Sequence, residues 1–383
     1  MKTNEFDELF KVEGGVPIIA GLYIGMDEDK AEAIIEELNS HKIEESSDYP
    51  LIHKYAITFE YDIFETEKLV KRIRLVFPYE ITKRGSDFII DYLSGKIYHE
   101  KVHKDIELDS EGNLLTLNVV FSNYYYTCSI YNKDGLFTIE LAGIVAYPEL
   151  YKAFYITGSN PELKQFIHKS LYYCNNESSK DKALNKLFPV YNGYPIICGV
   201  YLGYETGSSS EAEAVIDEEL HNPALYELYH DYEDISFEVL IDACCCVDEI
   251  VMRFSEEDKD IALRIINYLK QRLLIEDADY YIEDFKERDF IINANMSNEY
   301  LSVTVKNPYR NLYGCRKIEI IIETTKKDQS ELYKTLMIML DDNTHYGYFK
   351  AADDFYKDYS NARDFPYGVF DTYEEAIESF QGD

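Results

Sequence analysis

The residues His99-Glu100-Lys101-Val102-His103 match the pattern H-E-x-x-H and offer the sharpest chemistry in the chain. On a helix the two imidazoles would stand one turn apart on one face and could share a zinc ion while Glu100 activates its water, the arrangement of a zinc hydrolase. The surroundings argue against that use. Gly95 lies just upstream, Lys101 and Lys104 put positive charge beside the cation, and no helical apolar stripe supports the segment. A third ligand would have to come from Glu107, Glu111 or Glu140. A solvated polar connection is the preferred reading.

The run Cys244-Cys245-Cys246 lacks the C-x-x-C spacing of a metal site, and consecutive strand residues point to opposite faces. It reads as small apolar filler, with redox sensing as the alternative. The acidic groups Glu256-Glu257-Asp258 with Asp260, Glu276-Asp277-Asp279 and Asp353-Asp354 fail the calcium-loop template and read as solvated faces. No G-x-S-x-G, P-loop or dinucleotide fingerprint occurs. The reading therefore assigns no catalytic residue, no metal ligand and no cofactor.

The elements that would position any site come in two similar sets. Residues 16–25, VPIIAGLYIG, match 194–203, YPIICGVYLG, and each block leads into an acidic helix, AEAIIEEL from Ala31 and AEAVIDEEL from Ala212. ITFE at Ile57 matches ISFE at Ile235, and IIDYL at Ile89 matches IINYL at Ile265. Four blocks in the same order imply a tandem duplication. Each copy reads β-α-β-β-α-β-β-β-α, an α+β fold with a mostly antiparallel sheet and helices packed on one face.

Several local signals support that order. Ile18–Ile24 reads as a strand ended by Gly25, and Asp27 and Ser208, the latter with Glu211 three residues on, read as helix caps. Ile261, Ile265, Leu269 and Leu273 form the stripe of an amphipathic helix, whose partner in the first copy is interrupted by Ser94 and Gly95. Asp105-Ile-Glu107-Leu-Asp109 alternates as an edge strand would. The closing helices start at Asn160-Pro161 in one copy and at Asp328 with Glu331 in the other. The expected domains are residues 1–180, 181–345 and an acidic extension, 346–383, docked on the second repeat, with 175–181 as linker.

Composition sets the partner class. The chain has 383 residues, 46% of them hydrophobic, and a net charge of -34 from 38 Lys+Arg against 72 Asp+Glu, so it has ample core material under an acidic surface. Residues 1–180 carry 19 basic and 30 acidic side chains, and residues 181–383 carry 19 and 42, so the second half dominates the field. Such a field repels nucleic-acid phosphates and anionic lipid and attracts a basic protein. Neither a secretory leader nor an apolar run of membrane-spanning length is read, and seven cysteines, an odd number scattered except for Cys244-Cys245-Cys246, fit a reducing compartment, so a cytoplasmic location is expected.

The function that follows is non-enzymatic: an acidic binding protein that neutralises or sequesters a basic protein partner, as an immunity protein or a nucleic-acid-mimicking inhibitor does. A two-domain scaffold or assembly protein is the alternative, and the zinc hydrolase the other. The residues read as partner-binding are Glu256, Glu257, Asp258, Asp353 and Asp354, with Tyr346 and Tyr348 as aromatic anchors.

Overall fold

Leu117, Val119 and Phe121 alternate with Thr116, Asn118 and Val120, and only the first set is fully buried. This two-residue period places one face of a strand against a core and leaves the other open. In a computed structural model of the protein it recurs across two six-stranded sheets. The structure describes residues 9–41, 56–64, 67–78, 80–176, 190–191, 194–197, 199–220, 236–255, 259–275, 277–286, 289–310, 316–326, 329–341 and 343–361. Contacts divide the chain into one unit of residues 1–164 with 344–383 and a second of residues 165–343.

The first unit starts with a short hairpin, β1 (Phe10–Glu13) and β2 (Val16–Ile19), followed by helix α1 (Glu28–His41). Strands β3 (Ala56–Phe64) and β4 (Glu67–Phe77) lead to α2 (Lys83–Lys96), and β5 (Lys101–Leu108), β6 (Leu114–Ser122), β7 (Tyr126–Lys133) and β8 (Leu136–Gly143) follow. Helices α3 (Pro148–Ser159) and α4 (Pro161–Asn176) come next. The sheet order is β3-β4-β8-β7-β6-β5, with every neighbour antiparallel.

In the second half, β9 (Val190–Tyr191) and β10 (Tyr194–Pro195) precede α5 (Ser209–Leu220), and β11 (Ser236–Ile241) and β12 (Val247–Ser255) precede α6 (Lys259–Arg272). Strands β13 (Asp277–Lys286), β14 (Asp289–Ser297), β15 (Leu301–Arg310) and β16 (Arg316–Thr324) are followed by α7 (Ser330–Asp341) and α8 (Asn343–Asn361). The sheet order, β11-β12-β16-β15-β14-β13, repeats that of the first unit strand for strand. The architecture is α+β with antiparallel sheets.

Local chemistry explains the main elements. Ala262, Ile265, Ile266 and Leu269 are buried at helical spacing along α6. In α2, Thr82 Oγ1 accepts the Gly85 amide at 3.2 Å as an N-cap, and burial of Ile89, Ile90 and Leu93 carries the helix through Ser94 and Gly95, which the sequence reading took as an interruption. Ser208 Oγ accepts the Glu211 amide at 3.3 Å, and the Glu211 carboxylate reaches back to the Gly207 amide at 2.8 Å.

Two matched devices hold the sheets' turns. Asn123 accepts the Tyr125 and Tyr126 amides at 2.8 and 2.7 Å and donates to the Tyr98 carbonyl at 2.8 Å. Asn298 does the same with Tyr300, Leu301 and Leu273, each at 2.8 Å. Tyr151 Oη donates to the Tyr125 carbonyl at 2.7 Å, and Tyr333 Oη to the Tyr300 carbonyl at 2.8 Å. Burial pushes the Tyr151 phenol up to about 12.

Four expectations need correction. The Ile18–Ile24 strand stops at Ile19, because Ala20, Gly21 and Gly25 take φ of 51°, 86° and 90° and turn the chain. Four strands, not three, follow the second helix of each unit, since β5 and β13 pair along the outer edges of β6 and β14. Two helices close each half instead of one. The start at Pro161 belongs to α4 and the start near Glu331 to α7, which are not counterparts: α3 corresponds to α7, and α4 to α8.

The fourth concerns the tail. Residues 344–361 belong with the first unit, not with the second repeat, because α8 supplies that unit's missing apolar contacts. Phe349 and Ala352 are 0% exposed, Tyr348 stacks on Phe154 at 5.1 Å, and Tyr356 Oη donates to the Lys96 carbonyl at 3.1 Å. Correspondingly, Phe166 of α4 packs on Tyr300 at 4.5 Å within the second unit. Each unit thus takes its last helix from the other half of the sequence. Residues 362–383, with the expected strand stub and capping pattern, lie outside the described residues.

Candidate functional site

The H-E-x-x-H residues do not form a helix. His99 precedes β5 and His103 lies within it, on an exposed edge strand, so the one-turn apposition that two zinc ligands need is not made. The His99 Nδ1 pairs with the Ile97 carbonyl at 2.9 Å, and its ring lies 5.1 Å from Phe121 and 5.4 Å from Phe355. Glu100 accepts a hydrogen bond from Tyr98 Oη at 3.1 Å. Among the described residues, no three His, Cys, Asp or Glu side chains are grouped so that they could hold a metal ion.

Cys244 and Cys245 are exposed at the tip of the β11–β12 hairpin, and only Cys246 is buried, so the filler reading holds for one thiol of the three. Asp242 Oδ1 accepts the Cys244 and Cys246 amides, each at 2.9 Å, and holds the tip with Cys245 at φ 61°.

Of the residues read as partner-binding, Glu256, Glu257 and Asp258 lie outside the described residues. Asp353 and Asp354 are on α8 in the first unit. The Asp353 carboxylate is held by Lys164 at 2.8 Å, and Asp354 is exposed with Lys357 at 3.7 Å. Tyr346 is half-buried on the same helix and faces Phe349 at 6.3 Å. Tyr348 is corrected: it is 5% exposed and donates to the Gly15 carbonyl at 2.5 Å, so it serves the core and offers no anchor at the surface.

The structure brings together a different set, on the faces of the two sheets that the cores leave open. In the first unit Arg74 reaches Glu140 at 2.5 Å through Nε and Glu60 at 2.6 Å through Nη1. In the second, Arg253 reaches Glu319 at 2.5 Å through Nε and Glu238 at 2.8 Å through Nη1. The strand register explains the match, since Arg74 stands opposite Glu140 across β4–β8 and Arg253 opposite Glu319 across β12–β16. The hydrogen bond from Arg74 is the main cause that holds the Glu60 carboxyl below its ordinary value. Burial would raise Glu319, whose side chain is 7% exposed, but hydrogen bonds from Lys306 and Arg253 outweigh it and hold the carboxyl low.

Beyond this shared row the two faces diverge. The first unit sets Glu60, Glu140, Asp105 and Glu107 against Arg72, Arg74 and Lys101, a nearly balanced surface with Thr and Ser between them. Among the side chains described, the second sets Glu238, Glu249, Glu319, Glu323, Asp279 and Glu283 against Arg253 and Lys306. Glu249 and Glu323 are direct cross-strand neighbours, a like-charge pairing that costs stability unless a cation relieves it. Asn293, Asn295, Ser297 and Thr304 lie between the acids, and the exposed Tyr281 and Leu240 sit at opposite edges.

No contiguous stretch of sequence announces this surface. The signal was present in Glu60 and Glu238, which end the matched ITFE and ISFE blocks, but their arginine partners lie in strands whose words differ, KRIRLVF and VMRFS.

Comparison with protein-family models, with curated proteins and with solved structures returns no match. No helix among the described residues is long and apolar enough to cross a membrane.

Proposed function

We propose that the protein is a tandem-duplicated binding protein whose second unit captures a basic protein partner on the open face of the β11–β16 sheet. The observation that carries the reading is the charge on that face, where, among the side chains described, six acids face two bases on a sheet rich in Asn, Ser and Thr. Fixed carboxylates on strands lose little side-chain freedom when a cation arrives, and a single-sign face steers an oppositely charged partner toward it. Glu256, Glu257 and Asp258, which follow β12 in the sequence, stay in the proposed set, whereas Asp354, on α8 of the first unit, is not part of that face. The duplication rests on the common strand order, the matched asparagine turns and the matched Glu-Arg-Glu rows.

The test is co-purification from the native cell with the wild-type chain and with Glu249→Gln/Glu323→Gln/Asp279→Asn/Glu283→Gln. A basic protein retained by the wild type, released by rising salt and not retained by the variant supports the reading. An acidic partner, or retention indifferent to salt and to the four substitutions, overturns it.

A further inference from the structure

Strand β5 ends the first sheet, with β6 on one side and no described strand on the other. Its backbone therefore turns every second N–H and C=O outward, a template on which another strand can pair. Seven of its eight residues are exposed and Ile106 is half-buried, so the strand stands beyond the core on both faces. Val102, which lies opposite the buried Phe121, is itself 40% exposed.

The charges along β5 are sorted by sign. Lys101 and Lys104 fall in its first half and Asp105 and Glu107 in its second, so with His103 neutral the strand carries no net charge, and an antiparallel copy of it presents acids to bases. The matching edge of the second sheet, β13, carries Asp277, Asp279, Glu283 and Asp284 against Lys286 alone, and a copy of it would bring acid against acid. Of these two corresponding edges, only β5 is complementary to itself.

One register satisfies the strand. A two-fold axis normal to the sheet keeps the core sides of both copies together, so residues that stand opposite each other must share a face. Centred on Lys104, this pairing sets Lys101 against Glu107, His103 against Asp105 and Val102 against Ile106, each twice. The two Lys104 side chains meet at the axis, where Asp91 of α2 relieves them, its carboxyl lying close enough to feel the Lys104 charge. Centring on His103 leaves Lys101 with Asp105 as the one ion pair within the strand. Centring on Asp105 sets two acids face to face and carries the pairing past the bulge at Glu107–Leu108.

We propose that the protein forms a two-fold dimer through β5, joining the first sheets of two copies edge to edge into one antiparallel sheet. This goes beyond capture of a basic partner, which uses the other sheet.

The purified full-length chain, with no partner added, is sedimented over a range of concentrations, and amide exchange is read by mass spectrometry at both ends of that range. Wild type is expected to dimerise as concentration rises, with protection gained in residues 101–107. Glu107→Lys sets lysine against Lys101 of the partner subunit at two places and should weaken the dimer about tenfold with an unchanged circular-dichroism spectrum. Adding Lys101→Glu should restore it. The two positions lie about 20 Å apart along one strand, so that recovery can arise only between copies. A wild type monomeric at every concentration, a dimer indifferent to Glu107→Lys, a double variant without recovery, or protection gained outside β5 alone overturns the proposal. None of these outcomes bears on partner capture by the second sheet.

Discussion

Replacing Phe349 by alanine tests the placement of α8 most sharply. Its ring is 0% exposed and lies 5.3 Å from Phe154 and 5.6 Å from Tyr348, with Lys164 Nζ 5.3 Å from its centroid. Truncating a fully buried phenylalanine costs about 3–5 kcal/mol, from lost transfer energy and from the cavity left behind. In a unit of this size each kcal/mol lowers Tm by about 2–4 °C, so a fall of roughly 6–20 °C is expected in the transition of the first unit. Calorimetry reads the shift, and hydrogen exchange followed by mass spectrometry reads its location. Protection should be lost across α2, β6, β7 and β8, while β14, β15 and β16 keep theirs. A change below about 1 kcal/mol, or a loss of protection confined to the second sheet, would refute the assignment of α8 to the first unit.

Three further outcomes follow from the same geometry. Gly203→Ala places a Cβ 2.6 Å from Tyr333 Cβ at φ +82°, so it should cost about 2–5 kcal/mol, whereas Gly112→Ala, at φ +88° with nothing within 4 Å, should cost only about 1–2 in denaturant titrations. Arg253→Met should destabilise the second unit by about 1–2 kcal/mol by leaving Glu319 with Lys306 as its one remaining cation among the described residues, and adding Glu319→Leu should recover most of the loss, as urea unfolding of the single and double variants will show. The Asp27, Glu60 and Glu319 carboxyls are held below their ordinary values, so each contributes stability that is present above the ordinary carboxylate range and lost as pH falls through the lowered pKa. Thermal unfolding from neutral pH downward should therefore show Tm falling at acid pH, with less fall in Glu319→Gln.

What the chain reveals by itself is its periodicity. The stripe of α6 and the alternation in β6 are both explicit in residue types, and both lead to a helix-covered antiparallel sheet. The VPIIAGLYIG block is legible as a strand ended by Gly25, but not as a chain that already turns at Ala20-Gly21. At Gly25 the reason is tertiary, since a Cβ there would meet the Lys152 amide at 2.5 Å, a contact that exists only once α3 is docked. The exchange of closing helices was hidden for a similar reason. Pro161 announces a helix start clearly, but nothing in local sequence says that α4 packs on Tyr300 while α8 packs on Phe154.

The site was hidden by distance along the chain. Arg253 and Glu319 are 66 residues apart, as are Arg74 and Glu140, and only the strand register brings each pair together. Acid clusters contiguous in sequence, such as Asp353-Asp354, drew attention instead, and Asp353 turns out to be engaged by Lys164. Tyr348 stands at helical spacing from Ala352 and beside Phe349, a pattern that marks a buried stripe and not a surface anchor.

The acidic open face is tested most directly by chemical labelling of carboxylates with a carbodiimide and an amine, with and without the captured basic partner. The account predicts that labelling of Asp279, Glu283, Glu249 and Glu323 drops in the complex while Asp105 and Glu107 on the first sheet label as before. Protection of the first sheet's carboxylates with the second sheet's left reactive would contradict it.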